Sequence, residues 1–225
     1  MRTPYLRKYG IISSFTIWIV DGAYIRKNTD INFTNFGQHY RHPFIPKNEF
    51  WIDQEHKPGD APFYIDHLLL ENKLMASGKT YRYALARADR KELSERHKAS
   101  GKGFVRRTKE IPRKIYIRHL KQYSGNANVY LVDGELVRDL YHVEYTEGGH
   151  DRVYSFIPSN EVWIDDDLSP NERKFVILHE LTERALMSDG MMYSPAHKLA
   201  NVAELRARKN PSTSATAVKK AIADQ

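Results

Sequence analysis

The stretch FIPKNEFWID, residues 44–53, returns 112 residues later as FIPSNEVWID, residues 156–165. Outward from this pair the register holds without a gap. Val20-Asp21-Gly22 falls on Val132-Asp133-Gly134. His67, Glu71, Leu74-Met75, Gly78, Tyr81, Ala84, Ala88 and Glu92-Leu93 fall on His179, Glu183, Leu186-Met187, Gly190, Tyr193, Ala196, Ala200 and Glu204-Leu205. Residues 17–96 and 129–208 share 29 identities over 80 positions, too many for chance in an unshifted register, so the chain carries one fold twice. The division that follows is an N-terminal copy (1–96), a basic linker (97–114), a C-terminal copy (115–209) and a flexible tail (210–225).

Each copy opens with β-rich runs and closes with helical ones, which predicts an α+β fold: a small antiparallel sheet followed by a helical hairpin. The Asp-Gly pairs read as hairpin turns, joining Phe15–Val20 to Ala23–Arg26 and Asn128–Val132 to Glu135–Arg138. In the second copy two further extended runs, His142–Thr146 and Arg152–Ile157, flank Gly148-Gly149, and the Trp163 segment adds a short strand. Ser169 as N-cap, Pro170 at the first helical position and Glu172 two residues on predict a helix from Pro170 to Ser188. Gly190 ends it, and Ser194-Pro195 starts a second helix that reaches Arg208. Trp51 and Trp163, at equivalent positions, read as core anchors.

Hydrophobic residues make up 41% of the chain and charged ones 28%, the balance of a folded domain rather than a disordered one. No run approaches the roughly 18 apolar residues of a membrane span. The apolar Ile17–Val20 run meets an Asp-Gly pair with no small-residue cleavage site, so it reads as a strand. The expectation is a cytoplasmic protein with no membrane partner or, for a viral one, a protein of the virion or host cytoplasm. Cysteine is absent, so a metal here must take His, Asp or Glu ligands. The net charge of +7 is concentrated between His97 and Lys121, where nine basic residues face one acid. Lys102, Arg106, Arg107, Lys109, Arg113 and Lys114 in that stretch suit phosphate contacts with a nucleic acid.

The second copy carries the residues with chemical potential. On a helix His179 and Glu183 share a face, and Glu180 is turned about 100° from His179. A hairpin turning near Gly190 sets Glu183 level with His197, and His179 near Asn201 or Glu204. A metal held by His179, Glu183 and either His197 or Glu204 leaves one position open for water, with His197 the favoured third ligand. Glu180 is then placed to take that water's proton. The same His and Glu four apart also make an ordinary ion pair. The first copy keeps His67, Glu71 and Glu92, but has Leu68 where the second has Glu180 and Leu85 where it has His197. The shared trio therefore reads as scaffold or site, and Glu180 and His197 are what the second copy has beyond it.

His179-Glu180-x-x-Glu183 resembles the zincin metallopeptidase motif, with Glu in place of the second His, and the strand before the motif helix is similar to the zincin framework. The resemblance implies a bound Zn2+ or other divalent metal, His179 and Glu183 as ligands and Glu180 as general base. It also makes Val162–Asp165 an edge strand for an extended peptide or protein substrate. The longer string from His179 to Glu204 looks like segments of uncharacterised phage and bacterial proteins. Two functions follow as expectations. One is a divalent-metal-dependent hydrolase of peptide or other amide bonds. The other is a non-catalytic nucleic-acid- or protein-binding protein of viral or mobile-element origin.

Overall fold

The computed structural model describes residues 3–99 and 113–225. The first copy contains β1 (Tyr5–Ile12), β2 (Phe15–Val20), α1 (Gly22–Asn28), β3 (Phe36–Gln38), β4 (Glu49–Asp53), α2 (Ala61–Ala76) and α3 (Tyr81–Ala99). The second contains β5 (Tyr116–His119), β6 (Asn128–Val132), α4 (Gly134–Leu140), β7 (Gly148–His150), β8 (Glu161–Asp165), α5 (Pro170–Ser188) and α6 (Tyr193–Lys209), followed by α7 (Pro211–Ala223). The protein is α+β, with the same sheet-plus-helix arrangement twice.

Each sheet has four strands, in the orders β1-β2-β4-β3 and β5-β6-β8-β7. The sheets are mixed rather than purely antiparallel: β2 runs parallel to β4 and β6 parallel to β8, while the outer pairings are antiparallel. The cause lies in the Asp-Gly pairs, which do not turn hairpins. Each ends a strand and starts a short helix, and a helical crossover returns the chain for parallel pairing. Asp21 Oδ1 accepts the backbone N–H of Tyr24 at 2.9 Å, and Asp133 Oδ1 that of Leu136 at 3.1 Å, so both aspartates cap helices. Glycine follows because a Cβ on Gly22 would stand 1.8 Å from an Asp53 carboxylate oxygen, and one on Gly134 2.0 Å from Asp165. The runs at His142–Thr146 and Arg152–Ile157 are turns and irregular chain, and only Gly148–His150 between them forms a strand. Nor is Val162–Asp165 an edge, since β8 lies between β6 and β7.

The chain forms two compact units whose boundaries do not follow the copies. Unit 1 takes in Met1–Ile25, Phe33–Glu110 and Arg138–Glu144; unit 2 takes in Arg26–Asn32, Ile111–Val137 and Tyr145–Gln225. Each unit therefore includes a segment of the other copy, and the two segments are equivalent at the 112-residue offset.

Alternation along the strands sorts the core. In unit 1, Ile17 and Ile19 of β2 and Phe50 and Ile52 of β4 pack with Tyr64, Ile65 and Leu68 of α2. Val20 and Trp51 gather on the other face with Ile25, Phe33 and Ile45. In unit 2, Val129, Leu131, Val162 and Ile164 pack against Phe175, Val176, Ile177, Leu178 and Leu181 of α5. Trp51 and Trp163 are buried as expected, with each indole N–H donated to a strand glutamate, Glu49 or Glu161. The helix at Pro170–Ser188 carries the expected cap, Ser169 Oγ accepting the N–H of Glu172, and Gly190 after it has φ 93°.

The tail is not loose. Residues 211–223 form α7, which buries Val218 and Ala221 in the core of unit 2, and Gln225 donates to the Leu181 carbonyl of α5 at 2.7 Å. Of the stretch read as a linker, residues 97–99 complete α3 and Arg113 and Lys114 lie exposed in a 3-10 turn. Lys102, Arg106, Arg107 and Lys109 fall outside the described residues. No helix among the described residues is long and apolar enough to cross a membrane.

Candidate metal centre

The hairpin of α5 and α6 brings His179, Glu183 and His197 together within unit 2. His197 Nδ1 lies 2.8 Å from Glu183 Oε2 and 3.2 Å from His179 Nε2, and the third side of the triangle, His179 Nε2 to Glu183 Oε2, is 3.5 Å. Donor atoms around a tetrahedral ion with bonds of about 2.0–2.1 Å stand about 3.3 Å apart. A circle through the three atoms has a radius of about 1.9 Å, so one point lies within bonding distance of all of them. These residues can hold a metal ion. His179 and Glu183 are buried, whereas the His197 side chain keeps 32% of its exposure, so the site is reached from the α6 side.

Glu204 is not the third corner of that triangle. Its Oε2 lies 2.9 Å from His179 Nδ1, the ring nitrogen facing away from the other two donors. A proton on Nδ1 donated to Glu204 leaves the Nε2 lone pair free, which is how a carboxylate orients a metal-binding imidazole. Asn32 does similar work for the second ring: its Oδ1 lies 3.4 Å from His197 Nε2 and accepts from Asn201 Nδ2 at 2.9 Å. Tyr193 stacks on His197 at 5.4 Å.

Behind the site runs a buried rail of charge. Arg208 Nε donates to Glu204 Oε1 at 2.8 Å and its Nη1 to Glu172 Oε2 at 2.6 Å, while Arg26 Nη2 donates to the same Glu172 oxygen at 3.1 Å. Unit 1 repeats the rail at every equivalent position. His67 Nδ1 meets Glu92 Oε2 at 2.9 Å, Arg96 Nε donates to Glu92 Oε1 at 2.9 Å, and Arg96 Nη1 and Arg138 Nη2 both reach Asp60 at 2.7 Å. The histidine and the glutamate of the second helix are thus scaffold in both copies: they tie the two helices of each hairpin to a buried arginine.

What differs is what surrounds the scaffold. In unit 1 Glu71 Oε1 accepts from Gln38 Nε2 at 2.7 Å; in unit 2 the same position on the strand is His150, whose Nε2 lies 3.0 Å from Glu183 Oε1. His150 was not singled out from the sequence, although the 112-residue offset pairs it with Gln38. It is fully buried. Phe36, which packs edge-on to His67 at 5.1 Å, corresponds to Gly148, and Leu68, in the core of unit 1, corresponds to Glu180. The glycine makes room: a Cβ there would stand 3.2 Å from Glu180 Cγ and 3.0 Å from Val176 Cγ1. Carboxylate and imidazole atoms of Glu180, Glu183 and His150 lie within 4.8 Å of one another.

Charge states follow from this packing. Burial pulls His179 down, but hydrogen bonds to Glu183 and Glu204 and the charges of Glu180 and Glu204 outweigh it and raise the imidazole to about 10, so a metal at Nε2 would take the place of a proton there. Burial would raise Glu183, yet hydrogen bonds from His150, His179 and His197 hold it well below the usual carboxylate range. Glu180 has no such support. Loss of solvation, opposed by His179 and reinforced by the carboxylates of Glu183, Glu204 and Glu147, pushes it up to about 8. The site thus holds one firmly ionised carboxylate and one poised to exchange a proton near neutrality, the separation that acid–base chemistry uses.

No protein-family model, no curated protein and no solved structure matches the chain.

Proposed function

We propose that the chain is a divalent-metal-dependent hydrolase of peptide or other amide bonds, with its site in unit 2. His179, Glu183 and His197 are the ligands, and Zn2+ is the ion that suits two imidazoles and one carboxylate in a tetrahedral array. The observation that carries the reading is the triangle of 2.8, 3.2 and 3.5 Å between their donor atoms, open on the side of the half-exposed His197. Such an ion supplies a Lewis acid that acidifies a water molecule and polarises a carbonyl. The protein's own residues do the rest. Glu180 accepts a proton from the attacking water and returns it to the leaving amine. Glu204 and Asn32 fix the two imidazole rings, and the Arg208 and Glu172 pairing holds Glu204 in place.

The test begins with the purified full chain, in which zinc is counted by mass spectrometry and hydrolysis is scored on a library of quenched fluorescent peptides. One ion or more per chain, with at least one lost in His179→Ala and in Glu183→Ala, supports the site. Peptide hydrolysis abolished in Glu180→Gln with the ion retained supports the reaction. A chain that binds no zinc, and whose melting temperature does not respond to chelator, overturns the reading.

A further inference from the structure

The triangle of His179, Glu183 and His197 uses only one oxygen of Glu183. The other, Oε1, faces His150 Nε2 at 3.0 Å, and His150, Glu180 and Glu183 each bring one donor atom within 4.8 Å of the others'. We propose that His150, Glu180 and Glu183 form a second divalent-cation site, and that Glu183 bridges the two ions through its two oxygens. The inference rests on the hydrolase reading above in sharing Glu183 with its metal.

Three observations carry it. The donor set is one imidazole and two carboxylates, and His150 is fully buried on β7; its Nδ1 accepts the Arg152 N–H at 3.2 Å, so its Nε2–H is donated to Glu183 Oε1 and an ion would take the place of that proton. The fit needs little movement. Donors around an ion with bonds of about 2.0–2.1 Å stand about 3.3 Å apart, so Glu180 has to close by no more than about 1.5 Å, within the swing of a side chain whose carboxyl makes no hydrogen bond among the described residues. The third observation is the comparison that the duplication provides. Where unit 2 has His150, Glu180 and Gly148, unit 1 has Gln38, Leu68 and Phe36, and its Glu71 Oε1 is satisfied by the Gln38 amide alone. A histidine is not required merely to hydrogen-bond that oxygen, because a glutamine already does so on the same scaffold. The exchange of a leucine for a buried-side glutamate, with a glycine to admit it, gives the second copy a donor pair that the first copy never assembles.

Bridging carboxylates hold paired ions about 3.5–4 Å apart, the spacing at which two ions share a substrate oxygen. Here the second ion has a further consequence. It binds the carboxylate that serves as proton acceptor beside the first, so filling the second site withdraws Glu180 from the reaction. Low divalent-ion concentration then supports hydrolysis, and excess ion suppresses it.

The experiment counts ions. Chelator-stripped full-length protein is dialysed to equilibrium against Zn2+ and bound metal is measured by mass spectrometry, with far-ultraviolet circular dichroism as the check on folding. Wild type is expected to hold two ions per chain at saturation. His150→Gln and Glu180→Leu, each carrying the residue that the first copy has at the same place, are expected to hold one. His197→Leu, the residue of the first copy at position 85, is expected to retain an ion at the second site while weakening the first. Wild type that saturates at one ion, or either of the first two variants still holding two, overturns the second site and leaves the hydrolase reading standing. A wild type that holds none overturns both.

Discussion

Glu204→Gln separates a metal-orienting carboxylate from a structural one, because the chain contains the control for its own experiment. Glu204 accepts from His179 Nδ1 at 2.9 Å with one oxygen and from Arg208 Nε at 2.8 Å with the other. An amide of the same shape has one accepting oxygen. With that oxygen on the arginine, its NH2 can only donate to His179 Nδ1, which drives the proton to Nε2, so one charge-assisted hydrogen bond, worth roughly 1.5–3 kcal/mol, is lost. If that bond holds His179 in the tautomer that presents Nε2 to a metal, the loss appears as about a 10–100-fold weaker affinity for Zn2+, the range seen when carboxylates behind metal-binding histidines are removed. Glu92→Gln makes the same change in unit 1, where His67 and Arg96 are placed identically at 2.9 Å each. It should cost similar stability and leave Zn2+ affinity unchanged. The assay is competition with a chromogenic chelator for Zn2+, run alongside urea denaturation for both variants. Wild-type affinity in Glu204→Gln, or an equal fall in Glu92→Gln, would falsify the assignment of Glu204 as a positioning residue.

Two further outcomes test the fold beneath the site. Burial pulls His67 down, but its hydrogen bonds to Glu71 and Glu92 and their charges raise it from 6.5 to about 9. Because the folded value is the higher one, its contribution is complete below about pH 6.5 and fades as pH rises through 9. Wild type should therefore lose up to about 3 kcal/mol more than His67→Gln between those limits in urea titrations, and parallel pH profiles would refute the assignment. Ending the chain at Asn210 removes α7 and uncovers the surface that Val218 and Ala221 bury against α5. The expected loss is about 2–5 kcal/mol, a fall in melting temperature of roughly 5–15 °C by scanning fluorimetry, and an unchanged melting point would restore the picture of a loose tail.

The parts of the fold legible in the sequence are those set by local rules. The helix at α5 was readable because Ser169, Pro170, Glu172 and Gly190 act through neighbouring backbone, and the level of Glu183 with His197 because helix rise and a short turn fix it. The errors came where a distant contact decides. Asp-Gly between β-rich runs signals a hairpin, but here Asp53 and Asp165, arriving from another strand, occupy the space beside Gly22 and Gly134, and the aspartate is spent on a helix cap. The rail from His179 through Glu204, Arg208 and Glu172 ends on Arg26, 146 residues from its partner, a pairing that no local pattern announces. His150 was hidden for a different reason. A single histidine on a three-residue strand has no periodicity to mark it, and only alignment with Gln38 shows that the position changed its chemistry.

That alignment is also what separates the site from an ordinary ion pair between two helices. The rail is retained in both units with the same bond pattern, so the fold needs it, and nothing about catalysis follows from His179, Glu183 and Glu204 alone. Four of the positions around the scaffold tell more. Phe36, Gln38, Leu68 and Leu85 of the first copy become Gly148, His150, Glu180 and His197 in the second. Drift that merely preserved the hairpin would exchange apolar groups for apolar groups, since buried polar replacements without partners cost roughly 1–3 kcal/mol each. Here three changes add a metal-capable or proton-accepting group and the fourth removes a side chain from the space that one of them enters. Asp89 beside His67 becomes Asn201, but these four changes gather around a shared carboxylate, Glu183, as expected when one copy carries the chemistry and the other preserves the frame.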